Sequence, residues 1–339
     1  MYNLTDKIRV GVIGTGKLGA IHVKLAKDTP GAVLTGLYDV NSERSAQIAS
    51  EHNVRAFESL KDLFDDVDAC SIVTPTSTHY EVATQALGRG IHCFIEKPIA
   101  TRVEEAVEIG RIAEEQKCVL QVGHVERFNP AFLALGTSQP DPLFIEAHRL
   151  AQFSPRASDV AVVLDLMIHD IDLVLALNRG EEPTEIRASG VSVVSDEIDI
   201  ANARLEFANG CTANLTASRI SRSSMRKMRL FARDSYIALD FAAPSIEIIS
   251  ISDDDPSTSH DGSMMLGEIE QGPKVRSIRY GKPVTKSVNA IAEELKGFVE
   301  AIKRGTPPPV TAAEGTSALR VAEMILGEIA ASKPTIDLV

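Results

Sequence analysis

The chain has 339 residues, 44% hydrophobic and 24% charged, a balance that excludes collagenous, coiled-coil and largely disordered architectures and leaves room for about two domains. Its 35 basic and 47 acidic residues give a formal charge of −12, which repels polyanions and argues against nucleic acid as a partner. No apolar run reaches the ~20 residues needed to cross a bilayer, and the opening MYNLTDKIRV lacks a signal-peptide core, so a cytoplasmic protein without a membrane partner is expected. Cys70, Cys93, Cys118 and Cys211 share no C-x-x-C spacing; neither zinc nor a redox dithiol is suggested, and no metal site is assigned.

Up to residue 124, short β-branched runs alternate with amphipathic stretches. Strands are predicted at Lys7–Ile13, Ala32–Tyr38, Asp68–Val73, Ile91–Ile95 and Cys118–Val122. Helices are predicted from about Lys17 and Asn41, near Leu60, and over Tyr80–Leu87 and Val103–Glu115. Parallel strands need crossover connections that cover both sheet faces, so this alternation predicts an α/β, doubly wound domain. After Gly123 the rhythm changes. One helix, Val162–Leu177, precedes strand-like runs at Glu185–Val194, Ile198–Phe207, Cys211–Ile220, Lys227–Ala232 and Tyr236–Phe241. Asn209-Gly210 is expected to close a tight hairpin through positive φ values, and an antiparallel sheet follows. Ser252–Gly272, rich in Asp, Ser and Gly, reads as a solvated loop, and helices near Ala290–Arg304 and Ala312–Ala331 end the chain. The expected domains are residues 1–124 and 125–339.

Gly14-Thr15-Gly16-Lys17-Leu18-Gly19 joins the first strand to the first helix. The first glycine allows the turn, the second lets a pyrophosphate approach the backbone, and the third permits close helix–strand packing. The helix N-terminus, at Gly16, Lys17 and Leu18, offers N–H groups to the diphosphate. Asp39, at the tip of the second strand, is placed to accept ribose hydroxyls and to repel a 2′-phosphate, which favours NAD over NADP. Arg44, five residues on, is placed either to stack on adenine or to compensate a phosphate.

Two further segments follow strands of the same sheet. They are Thr74-Pro75-Thr76 with His79, and Glu96-Lys97-Pro98, both at the carboxyl edge where an open sheet binds ligands. On position alone Lys97 is equally readable as an ordinary surface cation. Asp165 and His169, four residues apart in a helical stretch, share a face, and a carboxylate beside an imidazole fixes its tautomer and raises its basicity. The plainer reading is a satisfied core histidine, with Asp172 as a structural partner. Between Arg219 and Arg233 lie six basic residues and no acid. That cluster suits either a substrate diphosphate or a charged strand edge.

The glycine motif, Thr74-Pro75-Thr76 with His79, Glu96-Lys97-Pro98 and Asp165-x-x-x-His169, in this order, resemble the Gfo/Idh/MocA (glucose-fructose oxidoreductase / inositol dehydrogenase) family over essentially the whole chain. The resemblance implies a Rossmann domain followed by an α+β domain with an open, mainly antiparallel sheet. It further implies hydride transfer between NAD and a sugar or cyclitol carbinol, with Lys97, Asp165 and His169 as the catalytic residues. Gly14, Gly16, Lys17, Leu18, Asp39, Arg44, Thr74, Pro75, Thr76, His79, Glu96 and Lys97 are then expected at the cofactor. A cis peptide before the proline of Glu96-Lys97-Pro98 is common in this family. The segments Gly123–Pro130, Glu146–Arg149, Ser154–Arg156 and Val163–Asp172 resemble the branch that oxidises the 3-hydroxyl of UDP-N-acetylglucosamine, which implies substrate contacts from Lys97, Arg127, Asn129, Arg156, His169 and Arg219. The alternatives are a dehydrogenase of a free sugar or cyclitol and a catalytically silent nicotinamide-binding regulator. An open sheet face also predicts a homodimer or homotetramer.

Overall fold

The computed structural model describes residues 7–136, 140–153, 160–253, 263–271 and 274–332. The chain divides into two units, residues 1–128 with 288–319 and residues 129–287 with 320–339. A single crossing near residue 124 was expected; instead the first unit takes back a C-terminal segment.

The first unit runs β1 (Ile8–Ile13), α1 (Lys17–Asp28), β2 (Ala32–Tyr38), α2 (Ser42–His52), β3 (Arg55–Ala56), α3 (Leu60–Asp66), β4 (Ala69–Ile72), α4 (His79–Leu87), β5 (His92–Glu96), α5 (Val103–Glu115) and β6 (Leu120–Gly123). Its six strands lie in the order β3-β2-β1-β4-β5-β6 and pair in parallel throughout. The order reverses between β1 and β4. In doubly wound sheets, ligands bind at the carboxyl ends of the strands beside such a reversal.

The returning segment is held by apolar periodicity. Leu295, Phe298, Val299 and Ile302 recur at helical spacing and pack against Ile8, Val10 and Phe94 of β1 and β5. Asn289 caps that helix by accepting the Ala292 N–H, and Gly305 ends it at φ 62°.

In the second unit, α6 (Pro130–Leu133) and β7 (Phe144–Leu150) precede α7 (Ile168–Leu177). Eight strands follow: β8 (Glu185–Val191), β9 (Ile200–Glu206), β10 (Thr212–Ser218), β11 (Met225–Ala232), β12 (Ser235–Asp240), β13 (Ser245–Ser252), β14 (Met264–Gln271) and β15 (Lys274–Gly281). The returning helix is α8 (Ala290–Arg304), and α9 (Ala312–Ser332) is last. The nine strands lie in the order β14-β15-β13-β12-β11-β7-β10-β9-β8, antiparallel except where β7 pairs with β10. Ile145, Ala147, Ala213, Leu215, Met228 and Leu230 alternate onto the buried face.

The structure departs from three of these expectations. Met264–Gln271 forms β14, so the stretch Ser252–Gly272 is not wholly loop. At Asn209-Gly210 only Gly210 has positive φ, and the turn spans Phe207 to Cys211, with the Cys211 N–H donating to Asn209 Oδ1. Residues 163–167 form a π-helical turn leading into α7 rather than continuous α-helix.

Candidate active site

The glycine turn follows the division of labour expected of it. Gly14 has φ +90°, and a Cβ there would stand 2.6 Å from the Val73 carbonyl oxygen. A Cβ at Gly19 would stand 2.0 Å from the Gly14 carbonyl oxygen, whereas one at Gly16 would meet nothing within 4 Å. Gly14 and Gly19 are therefore required by the fold, and Gly16 faces open space. Gly16 is also the N-cap of α1, which has no side-chain cap and no acid in its first turn. Its N–H groups and positive dipole end suit an anion. Beside the turn lies a cavity of about 580 Å³ lined by residues including Gly14, Gly16, Asp39, Arg44, Thr74 and Pro75. These features fit the diphosphate and adenosine half of a dinucleotide. Gly16→Val is expected to lower NAD affinity about tenfold or more, roughly 1.4 kcal/mol, in a calorimetric titration while leaving the thermal midpoint unchanged.

Asp39 is more constrained than its sequence position suggests. Its Oδ2 accepts the Thr15 N–H at 2.6 Å and the Thr15 hydroxyl at 2.8 Å, and its Oδ1 accepts the Asn41 N–H at 2.9 Å. Partial burial pulls this carboxyl upward, but the Asn41 and Thr15 donors and the Arg44 charge outweigh that and hold its pKa below the ordinary value. The Arg44 Nε–H donates to the Thr15 carbonyl at 2.7 Å, so the arginine braces the same turn. Thr15 was not singled out from the sequence. A residue between two glycines carries no signal until the fold brings Asp39 to it.

Other expected cofactor residues divide into exposed and supporting positions. Lys17 and Leu18 are exposed at the start of α1. Thr76 opens a short 3₁₀ turn, and Thr74 Oγ accepts the Thr78 hydroxyl. The His79 ring is buried, its Nδ1 3.0 Å from the Pro98 carbonyl oxygen and its Nε2 3.0 Å from that of Thr74. Burial holds its pKa below the usual histidine value despite these carbonyls. The Glu96 carboxylate is turned inward, with Oε1 3.1 Å from His22 Nε2. Lys97 follows at half exposure, and the Lys97-Pro98 peptide is cis.

In the second unit, Asp165 and His169 are half-buried, whereas Val163, Met167, Ile168 and Asp170 are buried. The π turn widens the local repeat, so apolar residues on either side of Asp165 both reach the core; such turns recur at functional sites. Asp170 and Asp172 are both buried, and the two oxygens of Asp170 receive Arg149 Nε at 2.9 Å and Nη2 at 2.8 Å.

Of the remaining expected substrate residues, Arg127 ion-pairs with Glu314 at 3.2 Å. Asn129 instead uses its amide within the fold, accepting the Ala131 N–H and donating to the Phe241 carbonyl. Arg219 is also buried. It pairs with Asp199 at 3.3 Å and donates to the carbonyls of Val160 and Ile198. Arg156 lies outside the described residues. The basic run containing β11 is not a strand edge, because β11 sits between β7 and β12. Its exposed Arg229 and Lys227 pair with Glu146 and Asp240 on those neighbours.

Cys70 and Cys93, distant in sequence, are register partners on β4 and β5 with their sulfurs 3.7 Å apart. Both are free and buried, and burial raises the Cys93 thiol pKa well above its usual value. They serve as small apolar groups.

A glycine turn at a sheet reversal, with an acid at the tip of β2, defines a dinucleotide-binding fold. Residues 8–124 match the description "Oxidoreductase family, NAD-binding Rossmann fold", and residues 138–237 match the "GFO/IDH/MocA C-terminal domain". The chain belongs to the Gfo/Idh/MocA family of NAD-dependent oxidoreductases. It is 40% identical over 301 residues to UDP-N-acetylglucosamine 3-dehydrogenase of Acidithiobacillus ferrooxidans, covering 88% of this chain and 90% of that one. A solved structure of the enzyme of that name from the same organism superposes with a TM-score of 0.86 at 38% identity, covering 96% of this chain and 98% of that one. Inositol 2-dehydrogenase of Rhizobium meliloti is 25% identical over 342 residues, covering 95% of this chain and 97% of that one.

Proposed function

We propose that the protein oxidises the 3-hydroxyl of a UDP-N-acetylhexosamine to a 3-keto sugar. The observation that carries this reading is the 40% identity, across 88% of the chain, to a UDP-N-acetylglucosamine 3-dehydrogenase. NAD, when bound, supplies the acceptor for the carbinol hydride. Oxidation also requires loss of the hydroxyl proton, so a base and a cation are needed at one oxygen. His169 takes that proton, Asp165 orients the imidazole, and the Lys97 ammonium donates to the oxygen and stabilises its developing negative charge. Arg127 and Arg156 are the proposed contacts to the sugar nucleotide, since the Asn129 amide bonds Ala131 and Phe241 and the Arg219 guanidinium is buried beside Asp199.

The test is NADH formation by purified protein with UDP-N-acetylglucosamine, free N-acetylglucosamine or myo-inositol. Turnover with the sugar nucleotide is expected. Turnover confined to the cyclitol would favour the second reading, which rests on the inositol 2-dehydrogenase likeness. NAD binding without turnover on any hydroxyl donor would leave a silent regulator. Phe144, Phe231 and Tyr236 form a half-exposed aromatic row on one sheet face. We propose that this face pairs between copies, so that sedimentation equilibrium gives two or four times the 36.5 kDa chain mass.

A further inference from the structure

The residues on either side of Lys97, Glu96 and Pro98, are each contacted by a buried imidazole that the chemistry above does not use. On one side, His22 Nε2 stands 3.1 Å from Glu96 Oε1, and the other carboxylate oxygen, Oε2, accepts the Lys97 backbone N–H at 3.3 Å. Nδ1 of His22 lies 2.8 Å from the Ser71 hydroxyl on β4. His22 is 0% exposed, Ser71 1% and Glu96 9%. On the other side, the His79 ring lies against the Pro98 carbonyl. There is no slack around the carboxylate, because a Cβ at Gly123 would stand 3.0 Å from Glu96 Oε2.

The helix that supplies His22 is α1, whose N-terminus is the diphosphate cradle. Nδ1 of His22 lies at hydrogen-bond distance from the Ser71 hydroxyl, while Nε2 faces the Glu96 carboxylate as a close polar contact rather than an aligned hydrogen bond. The chain Ser71–His22–Glu96 thus links β4, the cofactor helix and the residue before Lys97 through groups shielded from water. Purely apolar packing would fill this space without the desolvation cost of two polar side chains.

We infer that His22 is a positioning residue for Lys97, holding the Glu96 carboxylate so that the ammonium is set by the same helix that receives the cofactor diphosphate. The inference rests on the oxidoreductase role proposed for Lys97. Loss of the grip should act on turnover rather than on cofactor binding, since displacing a reacting group by about 1 Å costs up to roughly 100-fold in rate.

The experiment compares wild type, His22→Phe, His22→Gln and Ser71→Ala at saturating NAD and UDP-N-acetylglucosamine. The expected result for His22→Phe is a kcat loss between about 10- and 100-fold, with NAD affinity within about threefold of wild type and the thermal midpoint near it. His22→Gln, whose amide N–H sits near the lost Nε2, should recover most of kcat. If His22→Phe does not fold, Ser71→Ala carries the test, with a smaller kcat loss and unchanged KM. A folded His22→Phe protein with wild-type kcat, or a loss that His22→Gln does not rescue and that follows the folded fraction, would overturn the inference. If wild type oxidises no substrate, the reading of function fails by itself. The brace is then read from deuterium uptake at the Lys97 and Ile99 amides, faster in His22→Phe if the brace holds and unchanged if it does not.

Discussion

Lys97→Ala should fold, bind NAD with near wild-type affinity, and lose roughly 10² to 10⁴ in kcat. The position follows β5 at the carboxyl edge of the sheet, and its side chain is half-exposed, so truncation leaves no large void in the core. The loss belongs to the transition state, where negative charge on the substrate oxygen is greatest, so kcat and kcat/KM should fall together. His169→Ala should fall in the same range. On the proposed roles the two groups serve one proton and one oxygen, so the double variant should lose far less than the product of the single losses. Stopped-flow measurement of NADH formation, with calorimetry for NAD, separates the two effects. A Lys97→Ala protein that retains kcat would remove the lysine from the chemistry.

Asp170→Ala should be the most destabilising of the single changes considered, at about 3–5 kcal/mol. The Arg149–Asp170 pair is bidentate, with both side chains only 4% exposed, and Arg149 stands on the inward face of β7. Removing the carboxylate takes two charge-assisted hydrogen bonds from a buried guanidinium. Replacing both residues with apolar ones of similar volume should restore most of the stability, because the desolvation cost of both charges then disappears. Urea unfolding midpoints measure this directly, and equal stability of Asp170→Ala and wild type would contradict it. The pair also ties α7 to the sheet one residue from His169, so the surviving folded fraction of Asp170→Ala should show reduced turnover.

The first unit was largely legible because its signals are local. Ala32–Tyr38 and Val103–Glu115 fall where β-branched runs and helical periodicity place them, and each glycine of the motif meets the steric situation its position demands. The second unit was less so. Strand β7 was missed because its inward face carries Arg149 between apolar neighbours, and a buried charge breaks the alternation by which strands are recognised. The partner that makes the charge tolerable, Asp170, lies 21 residues away. For the same reason Arg219 read as a substrate contact, although Asp199 and two carbonyls hold it inside the fold. The apolar periodicity of α8 shows that the helix buries one face but not which sheet it covers, so a boundary placed by rhythm alone stopped at residue 124. His22 carried only the faint signal of a polar residue on the buried side of α1, three residues after the last motif glycine.

Lys97 and His169 are proposed to act on one hydroxyl. A crystal structure of the protein with NAD and UDP-N-acetylglucosamine tests it most directly. The Lys97 Nζ and a His169 ring nitrogen are both expected within about 3 Å of the sugar 3-oxygen, with the carbon bearing it facing the nicotinamide. A sugar bound with either side chain turned away from that oxygen, or with a different hydroxyl presented to the ring, would contradict it.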